Sequence, residues 1–182
     1  MHQGQVASPG PWLAVGREIA AVLERVDAQA FASLVARFRE PSRRWFFSGQ
    51  GRSGLVAEMT AMRFMHLGRA AHFVGEATAP SIRKGDGLAL ISGSGETPVG
   101  VHFARIAKAE GAQVVLMTRA PSSTLAGLAD AVLPVPIEST QQFGGSLFEE
   151  TSLILMDAIV LELATHVPDA HGSMLHRHTN LQ

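Results

Sequence analysis

The chain reads as an α/β protein, a three-layer αβα sandwich on a five-stranded parallel sheet. Two observations carry that reading. Short apolar runs alternate with stretches of helical periodicity along the 182 residues. The runs are apolar at consecutive positions instead of every second one, as strands are when both faces of a sheet are covered. A third observation bears on function: two runs end abruptly in glycine and hydroxyl residues, and a helical pattern follows at once.

Taken in order, apolar residues from Leu13 to Arg39 recur at helical spacing and predict one or two helices, stopped by Pro41. Arg44-Trp45-Phe46-Phe47 is short and aromatic, a first strand. Ser53 to Leu67 is helical and closed by Gly68; Ala71 to Val74 is a second strand. Leu88 to Ile91 is the third, followed by a helix from Thr97 to Glu110 that ends at Gly111. Thr97 stands at the N-cap and Pro98 at the first helical position. Val114 to Met117 is the fourth strand, Ser123 to Leu128 a short helix, and Ala131 to Val135 the fifth strand. A long helix runs from about Leu147 to Thr165, and after Pro168 a final short helix carries His171, His176 and His178. Residues 1–11, rich in Gly, Ser, Gln and Pro, are expected to be a flexible leader, and 12–182 a single domain.

Composition narrows the functional classes. Apolar residues are 46% and charged residues 17%, with a formal net charge of −1. No broad basic field exists for nucleic acid or lipid headgroups. The absence of cysteine removes disulfides, thiol nucleophiles and cysteine zinc sites. No apolar run approaches the roughly 20 residues of a spanning helix, and no basic-then-apolar signal opens the chain. A cytoplasmic protein without membrane or nucleic-acid partners is expected.

The two loops are Ser48-Gly49-Gln50-Gly51-Arg52-Ser53-Gly54 and Ser92-Gly93-Ser94-Gly95-Glu96-Thr97. Each aims backbone N–H groups, hydroxyls and a helix N-terminus at one spot, which suits a phosphate. Gly49-x-Gly51-x-x-Gly54 also fits the dinucleotide fingerprint, with Glu76 where a ribose-binding acid would stand. Against that reading, Arg52-Ser53 fills a plain close turn, and the second loop is an anion site a dinucleotide fold does not require. No room is left for a separate substrate domain. Ordinary tight turns are the plainer alternative, better suited to one such loop than to two.

The segments Phe47-Ser-Gly-x-Gly-Arg-Ser-Gly54 and Ile91-Ser-Gly-Ser-Gly-Glu-Thr97 resemble the sugar isomerase (SIS) domain. Ala61-Met-Arg-Phe-Met-His-Leu-Gly68, Val74-Gly-Glu76 with Pro80, Gly145-Ser-Leu-Phe-Glu-Glu-Thr151 and the closing Arg177-His-Thr-Asn-Leu181 extend the likeness to the 6-phospho-3-hexuloisomerase family. The resemblance runs from the first strand to the C-terminus; Gln50 departs from the small residue common in the first loop. It implies a flavodoxin-like sheet and a homo-oligomer (dimer or tetramer). It also implies interconversion of 3-hexulose 6-phosphate and fructose 6-phosphate in the ribulose monophosphate pathway, without metal or organic cofactor. The alternatives are another aldose–ketose isomerase, such as one for a pentose 5-phosphate, and a non-catalytic phosphosugar sensor.

Such an isomerisation needs one carboxylate to take a proton from carbon and return it to the neighbouring carbon, best from a partly dry pocket. The resemblance favours Glu149 as that base, with Glu150 second. Ser146-x-x-Glu149 also matches a capping box, which leaves the two tasks for Glu149 even on the residues alone. Substrate contacts are assigned to Gly51, Arg52, Ser53, Ser92, Gly93, Ser94, Gly95, Glu96 and Thr97, phosphate going to Ser53, Ser94 and Thr97 with help from Ser92. His178, in a polar tail of the kind that reaches a neighbouring subunit's site in this family, is the second catalytic candidate. Ser48, His66, Glu76 and Glu150 are minor candidates. The spacing of His171, His176 and His178 does not put all three on one helical face, so no metal site is expected.

Overall fold

The computed structural model describes residues 10–181. Its elements are α1 (Pro11–Leu23), α2 (Ala28–Phe38), β1 (Trp45–Gly49), α3 (Arg52–His66), β2 (Ala71–Phe73) and β3 (Gly87–Ile91). They continue with α4 (Pro98–Ala109), β4 (Gln113–Thr118), α5 (Thr124–Leu128), β5 (Ala131–Pro134), α6 (Ser146–Ala164) and α7 (Ala170–His176). Five parallel strands lie in the order β2-β1-β3-β4-β5. The expected α/β sandwich is therefore present.

Alternation along each strand divides the core in two. Trp45, Phe47, Ala89, Ile91, Val115, Met117 and Leu133 face one way and pack with residues of α1, α2, α3 and α6. Phe46, Leu88, Leu90, Val114 and Leu116 face the other and pack with α4 and α5. Phe38, Trp45, Phe47 and Phe64 form an aromatic centre on the first side, with Phe64 4.9 Å from both Phe38 and Phe47. The connection from β2 to β3 carries no helix, so the second face is the thinner.

Several boundaries differ from the sequence reading for identifiable reasons. The N-terminal stretch, expected as one or two helices, is two, because Asp27 Oδ1 accepts from Gln29 N at 2.7 Å and Ala30 N at 2.9 Å and starts a new one. Of the expected leader, residues 1–9 lie outside the described residues, and Pro11 is already the first residue of α1. His178 falls beyond α7, which ends at His176. Among the described residues, no helix is long and apolar enough to cross a membrane.

The strand order reverses between β1 and β3. Open parallel sheets bind ligands beyond the carboxyl ends of the strands at such a point. Both glycine–serine loops leave the sheet there.

Candidate active site

The β1–α3 turn is built on close backbone approach. A Cβ on Gly54 would stand 2.9 Å from Gly49 O, and one on Gly49 2.8 Å from Gly54 N, so neither position admits a side chain. Gly51 turns the chain at φ +58° into α3. Ser48, Gly49, Gln50 and Ser53 from this turn meet Ser92, Gly93 and Thr97 from the second loop around one cleft. Ser48 and Ser92 are buried, whereas Ser94 is exposed and its Oγ accepts from Glu96 N at 3.2 Å.

The helix starts at this cleft are open. In α2, α5 and α7 an Asp or Ser side chain caps the first turn; in α3, α4 and α6, as in the distant α1, none does. Thr97 occupies the N-cap of α4 as expected, but its hydroxyl makes no cap and lies 3.3 Å from Ser92 Oγ. Uncapped first-turn N–H groups, with the positive ends of the helix dipoles behind them, are free for an anion.

Glu149 arrives from 97 residues further along the chain than Arg52. Its Oε1 lies 3.0 Å from Arg52 Nε, which ties the start of α6 to the start of α3. The capping-box alternative is overturned. Gly145 is the N-cap and Ser146 the first helical residue; Ser146 Oγ donates to Phe143 O at 2.9 Å and accepts from Arg52 Nη1 at 3.2 Å. Burial pushes the Glu149 carboxyl above its ordinary range, Arg52 pulls it down, and Glu150 adds to the rise. The net upward direction suits a group that must both accept and return a proton.

Other candidates are placed differently. Glu96 serves the scaffold: its Oε1 accepts from Thr124 N at 2.7 Å at the start of α5, and Thr124, through hydroxyl and N–H, holds its carboxyl below the usual value. Glu150, the second candidate for the base, is half-buried at the start of α6, its Oε2 without a hydrogen-bond partner. Glu76 is outside the cleft, its Oε1 2.9 Å from His72 Nδ1 beside edge strand β2. His66 ends α3, and the His178 ring stacks on it at 5.3 Å. With 15 residues in α3, that stack is about 21 Å along the helix from Arg52. His178 is therefore not brought to Glu149 of its own chain. Arg119, which the sequence reading passed over, sits just past β4 with its N–H on Gly93 O at 3.3 Å; a cation directly after a strand's carboxyl end was the available signal.

Among the described residues, no three His, Asp or Glu side chains gather as metal ligands. The site is a phosphate-type cleft flanked by a half-dry carboxylate.

The SIS domain model matches residues 40–165, and the chain belongs to that family. It is 39% identical over 173 residues to 3-hexulose-6-phosphate isomerase of Mycobacterium gastri, which covers 91% of this chain and 86% of that one. It is 38% identical over 146 residues to the Bacillus subtilis enzyme of the same name, covering 75% and 79%. A crystal structure of a Methanococcus jannaschii protein, from which a 3-hexulose-6-phosphate isomerase function was inferred, superposes with a TM-score of 0.83 at 31% identity, covering 94% of this chain and 98% of that one.

Proposed function

We propose that the chain is a phosphosugar isomerase that interconverts 3-hexulose 6-phosphate and fructose 6-phosphate in the ribulose monophosphate pathway of formaldehyde assimilation. The observation that carries this reading is the juxtaposition of Glu149 with Arg52, a partly dry carboxylate against the loop built for a phosphate. The identity to relatives of that name supports the choice of sugar.

The substrate phosphate sits on the hydroxyls of Ser53, Ser92, Ser94 and Thr97 and the open N-termini of α3 and α4. Glu149 removes the proton on C2 of the 3-ketose, leaving a 2,3-enediolate. It then returns the proton to C3 as the carbonyl forms at C2. One carboxylate above both carbons suffices, and the helix N-termini offset the enediolate charge. No metal or organic cofactor enters this scheme.

The protein acts in the cytoplasm as a homo-oligomer, a dimer or tetramer. The partner is a second copy of this chain, seated on the exposed face of α3. Leu55, Met59 and Met62 recur there at helical spacing beside a groove of about 630 Å³. His178 then serves the neighbour's site, moving the proton between the two enediol oxygens.

The test is turnover of freshly generated 3-hexulose 6-phosphate, with fructose 6-phosphate followed in the presence of chelator. Glu149→Gln should cut kcat by roughly 10²–10⁴, the usual contribution of a general base, and leave phosphosugar affinity nearly intact. Wild-type turnover in that variant overturns the assignment. Turnover of a pentose 5-phosphate instead would move the protein to another isomerase.

A further inference from the structure

Arg52 faces two competing anions. Its backbone is the first residue of α3, on the loop assigned to phosphate, yet its guanidinium is folded onto the start of α6. Nε lies 3.0 Å from Glu149 Oε1, and Nη1 donates to Ser146 Oγ at 3.2 Å. Nη2 runs along Gly144-Gly145, where a Cβ on Gly144 would stand 2.9 Å from it. Gly144 is what leaves space for the fork. This seat is specific, but it is shallow on one side. The Arg52 side chain is 48% exposed and that of Glu149 only 16%, so the cation can swing into the cleft while the carboxylate stays.

The competition is unequal once substrate arrives. A phosphate dianion carries twice the charge of a carboxylate and accepts a guanidinium in two-pronged fashion. The phosphate is assigned to the first turn of α3, the helix that carries this side chain.

Resting on the assignment of Glu149 as base, we propose that Arg52 is an exchangeable counter-ion. It is closed on Glu149 in the free enzyme and drawn to the sugar's phosphate in the complex, so that phosphate binding unmasks the base. Arg52 is thus a positioning residue that couples occupancy of the phosphate site to proton abstraction. An unphosphorylated hexulose loses kcat as well as affinity, because it leaves the cation where it masks Glu149.

The charged groups that act on Glu149 are Arg52 from α3 and Glu150 from α6 itself. Burial raises the Glu149 carboxyl, Arg52 opposes, and Glu150 raises it further. When the guanidinium leaves, only the two upward influences remain, and the base strengthens with substrate already bound.

Paired pH profiles test the exchange, since kcat/KM reports groups of the free enzyme and kcat those of the complex. In the wild type, the acid limb of kcat is expected at higher pH than the acid limb of kcat/KM. In Arg52→Met the kcat/KM limb should rise towards the kcat limb, and the kcat limb should hardly move. Whatever gap remains measures repulsion by the phosphate itself. Arg52→Lys, which keeps the charge at the same root, should keep most of the wild-type gap and guards against a folding defect in the Met variant. The free substrate's phosphate ionisation enters kcat/KM identically for all three proteins and cancels there, and phosphorus NMR of each complex separates ionisation of the bound phosphate from the kcat limb. Two results overturn the proposal: both limbs rising together in Arg52→Met, which means the cation never left Glu149, or coincident limbs in the wild type. Full turnover in Glu149→Gln would instead remove the base itself. An inactive Glu149→Gln with an unchanged gap in Arg52→Met removes only the exchange.

Discussion

Replacing Gly95 by alanine probes whether the second loop is held as tightly as the site requires. Gly95 has φ +64°, and a Cβ there would overlap Ser123 Oγ and Cβ outright and stand 3.4 Å from Thr118 Oγ1. The left-handed conformation alone costs an alanine about 1–2 kcal/mol. Ser123 must also move, and with it the cap that its Oγ provides to Ala126 N in α5, worth about 1 kcal/mol. Together these predict a loss of roughly 2–3 kcal/mol, or about 4–12 °C in Tm for a chain of this size. Because Ser94 and Glu96 flank the strained residue, KM for the phosphosugar should rise too. Gly16→Ala is the control: it lies within α1 with no atom within 4 Å of the added methyl. The helix should gain roughly 0.5–1 kcal/mol there. Urea or thermal unfolding of both variants, with KM alongside, reads the contrast. A Gly95→Ala protein as stable as wild type, with unchanged KM, would refute the reasoning.

Two further outcomes concern charge. Asp130 accepts from Lys108 Nζ at 2.6 Å and from Val114 N at 2.8 Å, tying the start of β5 to α4 and β4. Burial raises its carboxyl, but Lys108, the Val114 N–H and Arg37 outweigh it, and the result lies below the ordinary 3.8. A lowered folded value makes this stability complete above 3.8 and lost as pH falls through the folded value. Asp130→Ala should cost about 1–2 kcal/mol at neutral pH, the partial exposure of the pair keeping it at the low end, and acid unfolding of the variant should be correspondingly shallower. His66 is held below its ordinary 6.5 by burial first, then by the charges of His178 and Arg63. Its protonation therefore favours the opened state. Docking of α7 and of His178 after it should be complete above pH 6.5 and weaken as pH falls from there towards the folded value. Amide exchange in residues 170–178 measures it, and an identical pH response in His66→Phe would exclude His66 as the cause.

The parts of the fold governed by neighbours in sequence could be read from it. Apolar runs ending in glycine located β1 and β3 and the loops behind them, because a buried parallel strand and a turn at its end are local demands. The break between α1 and α2 is also local, written in Asp27, and apolar periodicity running through it left one helix or two open. What the chemistry needs was less legible. Thr97 sits at the expected N-cap, but whether its hydroxyl caps α4 or faces Ser92 depends on the other loop. Ser146-x-x-Glu149 carries the residues of a capping box, yet Gly145 takes the N-cap and frees Glu149 for Arg52. Glu96 reaches the start of α5, a partner 28 residues away that no local pattern announces. In each case the residue type was right and the partner was tertiary.

The placement of His178 leads to the sharpest test of the assembly. One end of α3 carries Arg52 and Ser53; the other carries His66, with His178 stacked upon it. A two-fold axis through the middle of α3 would lay two copies antiparallel along Leu55, Met59 and Met62. The end bearing His178 in one copy would then meet the end bearing Arg52 and Glu149 in the other. Under that arrangement Glu149→Gln and His178→Ala break different halves of the same site. Mixed and reassembled at equal amounts, they should form hybrids in which one site of each pair has both wild-type groups. Random pairing makes half the dimers hybrid with one good site in two, so about a quarter of wild-type kcat should return. If His178 serves its own chain, every site in the mixture retains a defect and activity stays at the level of the separate variants. Full activity in His178→Ala alone would remove the histidine from the mechanism and leave the α3 face as a contact only.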